Sequence, residues 1–301
     1  MVPLVTPLSG PDRLDREGLS ALLEHVVAGE VNGVFIIGTT GEGPNLSYRL
    51  RHEMIRESAR ILRGRVPLFA AITDTSLVEA VSLARTAAES GCAAVAFAAP
   101  YYFPLDEEEL HQYCLKVSAQ LPLPGMLYNM PAMSKIGFPV EMVRRLMEEP
   151  RLVGIKDSGG DLDYYARLCA VGREREDWTT LIGPEAMLIE SVRLGGDGGV
   201  NGGANVWPGL FTAAYAAAIE GDPRECAPLQ EQIERFGAIY EAGCGSRRYV
   251  ATTKHALKCL SLCDDQMTDA FPLLPIDCRE AIRSVLEEMG LMPHGGLALQ
   301  G

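Results

Sequence analysis

The stretch LVGIKDSGGD (residues 152–161) places a lysine at the end of an apolar run and directly before a polar, glycine-rich turn. Short runs of small, aliphatic or β-branched residues are typical of strands that are buried on both faces of a parallel sheet. The run that ends at Lys156 is one of eight in the chain. The others are VPLVT (2–6), GVFIIGT (33–39), PLFAAIT (67–73), AAVAFAA (93–99), PGMLYN (124–129), TTLIG (179–183) and GGVNG (198–202).

Helical patterns lie between these runs. Leucines and a valine recur at helical spacing across residues 19–26, and Ser76 with Glu79 three residues later predicts a capping box before another helix. Eight strand–helix units in about 220 residues predict an α/β fold of the (β/α)8 TIM-barrel type over residues 1–221. A doubly wound sheet is the competing arrangement, but no GxGxxG sequence opens the first crossover.

The remainder of the chain predicts additional helices. Residues 222–293 contain three helical patterns, which form a C-terminal helical extension of the barrel. We expect the tail, residues 294–301, to be frayed. No low-complexity segment or linker divides the chain.

Composition excludes several classes of function. The chain has 301 residues, of which 47% are hydrophobic, and its formal net charge of −13 argues against a nucleic-acid partner. Eight cysteines and five histidines are scattered without zinc-ligand spacing, so we expect no metal site and free thiols in a reducing compartment. Cys259 and Cys263 stand four residues apart in a predicted helix. Without a basic leader or an apolar run long enough for a bilayer, we expect a soluble, cytoplasmic protein that does not enter membranes.

The carboxyl ends of the barrel strands predict where the chemistry lies. Lys156 follows an apolar strand into this mouth, where burial disfavours the ammonium ion and frees the amine as a nucleophile. A neutral amine attacks a ketone to form an imine, which then acts as an electron sink for an adjacent carbon–carbon bond. The alternative is a lysine that reaches the rim and pairs with Asp157 or Asp161.

Neighbouring strand ends supply hydroxyl groups. Tyr128 ends the strand before that of Lys156 and is placed to shuttle a proton to the carbinolamine. Thr39, Thr40 and the amides around Gly41 can bind a carboxylate, because glycine lets the backbone approach a ligand closely. The alternatives are a core tyrosine with a satisfied hydroxyl and an ordinary turn between a strand and a helix.

Four motifs occur in an order and spacing that resemble one known family. They are GTTGE (38–42), PYY (100–102), LYNMP (127–131) and GIKDSGG (154–160). The chain is similar to the dihydrodipicolinate synthase and N-acetylneuraminate lyase superfamily, the pyruvate-dependent class I aldolases. The resemblance implies that Lys156 forms a Schiff base with a 2-oxo acid, that Tyr128 is the general acid and base, that Thr39 and Thr40 hold the carboxylate, and that Val200 offers its carbonyl.

The same resemblance implies an assembly. One tyrosine of the PYY motif, Tyr102 rather than Tyr101, reaches into a neighbouring subunit's site and joins a hydroxyl relay with Tyr128 and a threonine. The family is commonly a homotetramer built as a dimer of dimers. Its partner is a small 2-oxo acid, and apart from the covalent imine on Lys156 no metal or organic cofactor is implied.

Departures from the family's motifs bear on the second substrate. In the synthase an arginine that grips a carboxylate follows the motif's proline by two residues, and this chain has Met133 there. Of the acidic pair that contacts sugar in the sialic acid lyases, this chain retains Glu185, and Gly202 replaces a serine. KDSGGD looks more like the 2-keto-3-deoxy-sugar-acid and 4-hydroxy-2-oxoglutarate aldolases. Our hypothesis is therefore retro-aldol cleavage of a 4-hydroxy-2-oxo acid to pyruvate and an aldehyde.

This hypothesis adds two candidate substrate-binding residues. Ser158 is a candidate contact to the C4 hydroxyl, and Lys135 is a candidate distal cation for a diacid, although a solvated loop lysine is the simpler interpretation. Four alternatives stay open. They are the dihydrodipicolinate synthase reaction itself, a dehydratase of the deoxy-oxo-glucarate type, a phosphate-binding barrel at GGDGGVNGG (195–203) and a barrel that binds a 2-oxo acid without turnover.

Overall fold

The eight apolar runs form one parallel sheet in the computed structural model, which describes residues 1–245 and 248–292. Each strand pairs with the next run along the chain. The strands, in sheet order, are β1 (Val2–Pro3), β4 (Val34–Ile36), β5 (Leu68–Ala71), β6 (Ala94–Phe97), β7 (Gly125–Asn129), β8 (Leu152–Asp157), β9 (Thr179–Ile182) and β10 (Gly198–Gly199). The two remaining strands form an antiparallel hairpin, β2 (Leu8–Gly10) with β3 (Arg13–Leu14), that the sequence did not predict.

Contacts between the first and last strands curl the sheet into a barrel. The Asn201 N–H donates to the Met1 carbonyl at 3.3 Å. The buried amide of Asn205 donates to the Pro3 carbonyl at 2.9 Å and accepts from the Val5 N–H at 3.1 Å. The predicted (β/α)8 TIM barrel with additional C-terminal helices is therefore confirmed.

Helices alternate with the strands because each buries one apolar face against the sheet. Their bounds are α1 (Arg16–Ala28), α2 (Tyr48–Leu62), α3 (Leu77–Glu89), α4 (Glu107–Ser118), α5 (Pro131–Ser134), α6 (Val140–Leu146), α7 (Leu162–Gly172), α8 (Leu188–Arg193), α9 (Pro208–Glu220), α10 (Pro223–Phe236), α11 (Ala238–Ala242), α12 (Arg248–Cys259) and α13 (Ile276–Glu288). Ser76 caps α3 by accepting from the Glu79 N–H at 3.4 Å. The reciprocal capping box occurs instead before α4, between Asp106 and Glu109.

The C-terminal helices contain one correction to the sequence analysis. Helix α12 ends at Cys259, so Cys263 lies beyond the helix in which both cysteines were expected. The division of the chain at residue 221 stays a prediction, and the tail 294–301 lies outside the described residues. Within the described ranges, no helix combines the length and the apolar character that crossing a bilayer requires.

A buried ion pair joins the barrel to these helices. The Glu42 carboxylate, in the turn after β4, lies 2.5 Å from the Lys254 amine of α12, and neither side chain is more than 1% exposed. Thr268 donates its N–H and its hydroxyl to the same carboxylate at 3.0 and 2.8 Å. Lys254 also donates to the Gln266 carbonyl at 2.7 Å. Burial lowers the pKa of Lys254, which Glu42 partly offsets.

Candidate active site

Lys156 and Tyr128 stand side by side at the carboxyl ends of two neighbouring strands. They are register partners in the parallel pairing of β7 with β8. The Lys156 side chain is buried, and its amine lies 4.3 Å from the centre of the Tyr128 ring and 4.9 Å from that of Phe35. Aromatic faces stabilise an ammonium ion without forming an ion pair. The amine is thus held in place but remains available to a carbonyl compound.

Thr39 completes a line of hydroxyl groups. Its hydroxyl lies 3.2 Å from the Tyr128 hydroxyl, and either can donate. Phe35 packs edge-on against the Tyr128 ring at 6.3 Å between centroids, which fixes the orientation of the phenol. A proton can therefore pass between Thr39 and Tyr128 next to the Lys156 amine.

Asp157 does not pair with Lys156, which argues against the interpretation of Lys156 as a rim lysine. Successive side chains of a strand point to opposite faces, so Asp157 faces away from the barrel mouth. Its carboxylate accepts from the Asn129 amide at 2.6 Å and from the Gly159 N–H at 3.1 Å. Burial raises the pKa of Asp157 despite these bonds. Asp161 caps α7 by accepting from the N–H groups of Asp163 and Tyr164.

Lys156 opens into a cavity of about 740 Å³ at the mouth of the barrel. Its lining includes most of the residues that the sequence singled out: Thr39, Thr40, Tyr128, Lys156, Ser158, Glu185 and Val200. Ser158 lies against Gly183, where a side chain would come within 2.1 Å of the serine hydroxyl. A smaller cavity of about 310 Å³ shares Thr39 and Tyr128 and is also lined by Tyr101 and Met133. The strand ends thus bring the Lys156 amine and the hydroxyls of Thr39, Thr40, Tyr128 and Ser158 to one space.

Three of the expected site residues lie elsewhere. Gly41 lines neither cavity and packs behind the turn, where its carbonyl accepts from the Thr6 hydroxyl at 2.6 Å. The Lys135 amine donates to the Tyr102 carbonyl at 3.1 Å and also lines neither cavity, so the geometry does not support a distal cation. Tyr102 is 69% exposed and stacks edge-on with Phe103, outside its own chain's site.

The far side of the larger cavity contains groups that the sequence did not reveal. Tyr249, from α12, donates its hydroxyl to Glu185 at 3.3 Å and stacks on Tyr240, with 4.4 Å between the ring centres. Glu185 also accepts from the Gly203 N–H at 2.7 Å. Burial raises the pKa of Glu185, and these bonds only partly offset it. Because the Gly203 N–H already donates to the Glu185 carboxylate, the loop 195–203 is poorly suited to bind a phosphate.

Gly202 makes room for Tyr249. A side chain at Gly202 would lie 1.8 Å from the Tyr249 hydroxyl. The phenol therefore fills the space above the loop after β10 that a residue larger than glycine would need. No pattern in the sequence pairs these two residues, because they come from different parts of the chain.

The charge of the larger cavity is mostly negative. Lys156 is the one basic residue among its described lining, which also contains the carboxyl groups of Glu185, Glu234 and Glu241. In the described parts of the chain, no group of three or more histidine, cysteine or acidic side chains is arranged to hold a metal ion. The site offers hydrogen bonds to a hydroxylated molecule and little that would attract a second carboxylate.

Comparisons with known proteins agree on one family. A family model described as "Dihydrodipicolinate synthetase family" matches residues 1–288. The 4-hydroxy-tetrahydrodipicolinate synthase of Phenylobacterium zucineum is 30% identical over 294 residues, which cover 96% of this chain and 96% of that protein.

Solved structures give the same result. The dihydrodipicolinate synthase of Bacteroides thetaiotaomicron is 42% identical, with a TM-score of 0.92 over 95% of this chain and 97% of that chain. The chloride-inhibited dihydrodipicolinate synthase of Acinetobacter baumannii, solved in complex with pyruvate, is 28% identical, with a TM-score of 0.90 over 97% of this chain and 98% of that one.

Proposed function

Because this chain belongs to the dihydrodipicolinate synthetase family, whose members are pyruvate-dependent class I aldolases that need no metal or organic cofactor, we propose that its imine-forming residue is Lys156. The observation that carries the proposal is the buried Lys156 amine, which lies beside the Tyr128 ring and opens into the cavity. As a member of this family the chain is a lyase. We therefore drop the alternative of a barrel that binds a 2-oxo acid without turnover.

The proposed reaction begins with attack of the Lys156 amine on the ketone of pyruvate. Tyr128 donates the proton that lets the carbinolamine hydroxyl leave as water, and the Thr39 hydroxyl stabilises the resulting phenolate by donating a hydrogen bond to it. Thr40 and the Val200 carbonyl hold and orient the pyruvate end. The Tyr128 phenolate then takes a proton from the methyl carbon, and the electron pair of the broken carbon–hydrogen bond moves toward the protonated imine to give an enamine. Attack of this enamine on an aldehyde forms the new carbon–carbon bond, and water releases Lys156.

The first candidate for the complete reaction is the one that a 4-hydroxy-tetrahydrodipicolinate synthase catalyses. The names of the curated relatives favour it over the sugar-acid and hydroxy-oxoglutarate aldolases that the sequence alone suggested. A dipicolinate is a dicarboxylate, and pyruvate brings one of the carboxylates. The aldehyde must therefore bring the other, together with the nitrogen of the ring.

The second candidate is the aldolase of a 4-hydroxy-2-oxo acid, acting in cleavage or in synthesis. The two cavities at the barrel mouth favour it. Met133, which lines the smaller cavity, stands where the synthase motif has an arginine, and Lys156 is the one basic residue in their described linings. Tyr249 and Glu185 offer a hydroxyl and a carboxyl group to a neutral, hydroxylated aldehyde. Ser158 is placed to contact the hydroxyl that the addition creates.

A competition experiment separates the candidates. Purified protein is given pyruvate and equal concentrations of aspartate semialdehyde and glyceraldehyde, and the products are identified by mass spectrometry and NMR. Preference for the amino acid semialdehyde supports the synthase, and preference for glyceraldehyde supports the aldolase. A product that lacks the hydroxyl would indicate the dehydratase. Borohydride reduction with pyruvate alone, followed by mapping of the Lys156 peptide, tests the imine separately.

The assembly is also a proposal, a homotetramer in which Tyr102 serves a neighbouring site. Tyr102 and Phe103 are 69% and 74% exposed in the isolated chain, and exposed aromatic pairs are typical of interface cores. Native mass spectrometry measures the state directly. A mixed oligomer of the Tyr102→Phe and Lys156→Ala variants, each expected to be inactive alone, should regain activity, because one site then has an intact lysine and an intact donated tyrosine. A mixture as inactive as its components would contradict the shared site.

A further inference from the structure

A cysteine, a histidine and an aspartate form a line of contacts in the C-terminal extension, far along the chain from Lys156. We propose that Cys259 is a reactive thiol that forms a mixed disulfide with small oxidised thiols, and that His255 and Asp265 activate it. The proposal does not depend on the aldol reaction.

The geometry is that of a nucleophile with an oriented base. His255 and Cys259 are one turn apart on α12, and the His255 Nε2 lies 3.7 Å from the Cys259 sulfur. The other ring nitrogen, Nδ1, lies 2.9 Å from a carboxylate oxygen of Asp265. Because the carboxylate can only accept, Nδ1 carries the hydrogen of this bond. Nε2 is therefore free to take the proton of the thiol, and Asp265 fixes the ring in that orientation.

The charges around Cys259 are nearly balanced, so the His255 imidazole has to provide the activating positive charge. Asp265 also binds Lys258 at 2.8 Å and faces Arg279, from α13, at 3.7 Å, and Asp264 lies 3.4 Å from Lys258. Without His255, the positive charges of Lys258 and Arg279 therefore balance the negative charges of Asp264 and Asp265. The end of α12 is the negative pole of the helix, which favours an imidazolium and disfavours a thiolate, so the histidine must supply the positive charge.

His255 is well suited to supply that charge. Its burial alone would lower the pKa, but the bonds to Asp265 and to Cys259 outweigh burial and raise the pKa of His255 to about 9. The ring then carries a proton at neutral pH. A cysteine sulfur next to a charged imidazole, here with 3.7 Å between sulfur and nitrogen, is the arrangement that makes cysteines nucleophilic in other proteins.

The other seven thiols provide the contrast. Five of them are buried: Cys92, Cys114, Cys169, Cys226 and Cys263. Burial raises the pKa of Cys92 and of Cys169 to about 11. Cys244 and Cys278 are partly exposed but face each other with their sulfurs 2.8 Å apart, and the hydrogen bond between them raises the pKa of Cys278. Cys259 combines partial exposure with a neighbouring imidazole.

The step is a thiol–disulfide exchange. The thiolate of Cys259 attacks one sulfur of the small disulfide, a new sulfur–sulfur bond forms and the old one breaks. The cysteine is oxidised, and the departing thiolate carries the electron pair of the broken bond. It takes the proton that His255 accepted from Cys259, so the products are a mixed disulfide and one small thiol.

The experiment uses the full chain and oxidised glutathione as the probe, with peptide mapping of all eight cysteines over time. We expect Cys259 to react about 10-fold faster than Cys244 and Cys278 near pH 7, and the His255→Asn variant to lose that advantage. Cys259→Ser identifies the peptide, and circular dichroism checks that each variant is folded. First modification at another cysteine, or an unchanged rate at Cys259 in His255→Asn, would overturn the proposal.

If the His255→Asn variant does not fold, the pH dependence of the modification rate at Cys259 in the wild type tests the proposal. An ordinary thiol loses about 10-fold in rate for each pH unit below its pKa near 8.5. A rate at Cys259 that stays level down to about pH 7 supports the thiolate–imidazolium pair, whereas the ordinary decline contradicts it.

Discussion

Glu42 and Lys254 form an ion pair across 212 positions of sequence, with 2.5 Å between the carboxylate and the amine and almost no exposure of either side chain. Removing one partner leaves an uncompensated buried charge. We expect Lys254→Met to destabilise the protein by about 3–5 kcal/mol. Urea unfolding of this variant, of Glu42→Gln and of the double variant measures the coupling. The double variant should lose less than the sum of the two single changes, and simple additivity would contradict the pairing.

Lys156 is expected to be the residue that pyruvate modifies. Borohydride reduction in the presence of pyruvate should add one reduced pyruvate to the Lys156 peptide, and Lys156→Ala should abolish both the adduct and turnover. Lys135→Ala is the matched control, because Lys135 lines neither cavity and should leave trapping unchanged. An adduct that persists in Lys156→Ala would assign the chemistry to another amine.

Tyr128→Phe removes the phenol that lies 3.2 Å from the Thr39 hydroxyl. General acid–base catalysis contributes about 10²–10⁴-fold, so we expect kcat to fall within that range while KM for pyruvate changes little. Steady-state kinetics with the better aldehyde measures the two constants. Tyr215→Phe is the control, since its hydroxyl donates to the Asp197 carbonyl away from the barrel mouth. Equal losses in both variants would indicate a structural effect.

Met133→Arg should improve the use of aldehydes that carry a carboxylate. Met133 lines the cavity beside Tyr128 and is 51% exposed, so a guanidinium there can reach a ligand without being buried. A charge-assisted hydrogen bond contributes about 1.5–3 kcal/mol, which predicts a gain of about 10-fold or more in kcat/KM for aspartate semialdehyde relative to glyceraldehyde. Met133→Leu, which keeps the apolar character, should leave the ratio unchanged. If the wild type already prefers the semialdehyde, another group must bind its carboxylate.

The pairing of His255 with Asp265 predicts a pH-dependent stability. The pKa of His255 is raised from 6.5 to about 9 in the folded chain. Its contribution is therefore complete below pH 6.5 and is lost as the pH rises through about 9. We expect the stability difference between wild type and His255→Asn to shrink by no more than about 2 kcal/mol over that window, because solvent screens part of the interaction. Urea unfolding at several pH values measures it, and a difference independent of pH would contradict the shift.

The barrel could be predicted from the sequence because its signal is local. Each strand is an apolar run buried on both faces, and each of the eight runs became a strand at the expected place. The hairpin of β2 and β3 was missed, because its strands are two and three residues long and carry no pattern of their own. Cys263 was placed in a helix that ends at Cys259, since spacing alone does not show where a helix stops.

The near side of the site could also be predicted, and the far side could not. Lys156 and Tyr128 lie near the carboxyl ends of β8 and β7, and Thr39 follows β4 of the same parallel sheet, whose carboxyl ends meet at one edge. Tyr249 and the pairing of Glu42 with Lys254 depend on how the C-terminal helices pack on the barrel. The sequence around Tyr249, Glu42 and Lys254 does not show how these helices pack on the barrel. Phe35, which packs against the Tyr128 ring, lies inside a strand and looks like any core aromatic.

Helix α12 places the Tyr249 hydroxyl within 1.8 Å of where a side chain on Gly202 would begin. A larger residue at position 202 thus requires the Tyr249 side chain to move or to be replaced by a smaller one, and the two positions are expected to vary together across evolution. Substrate preference can then diverge through the C-terminal helices while every barrel motif stays intact. Two proteins with identical strand-end motifs can for this reason act on different aldehydes, and the choice of enzyme name should follow residues 202 and 249 as well as the lysine and tyrosine of the barrel.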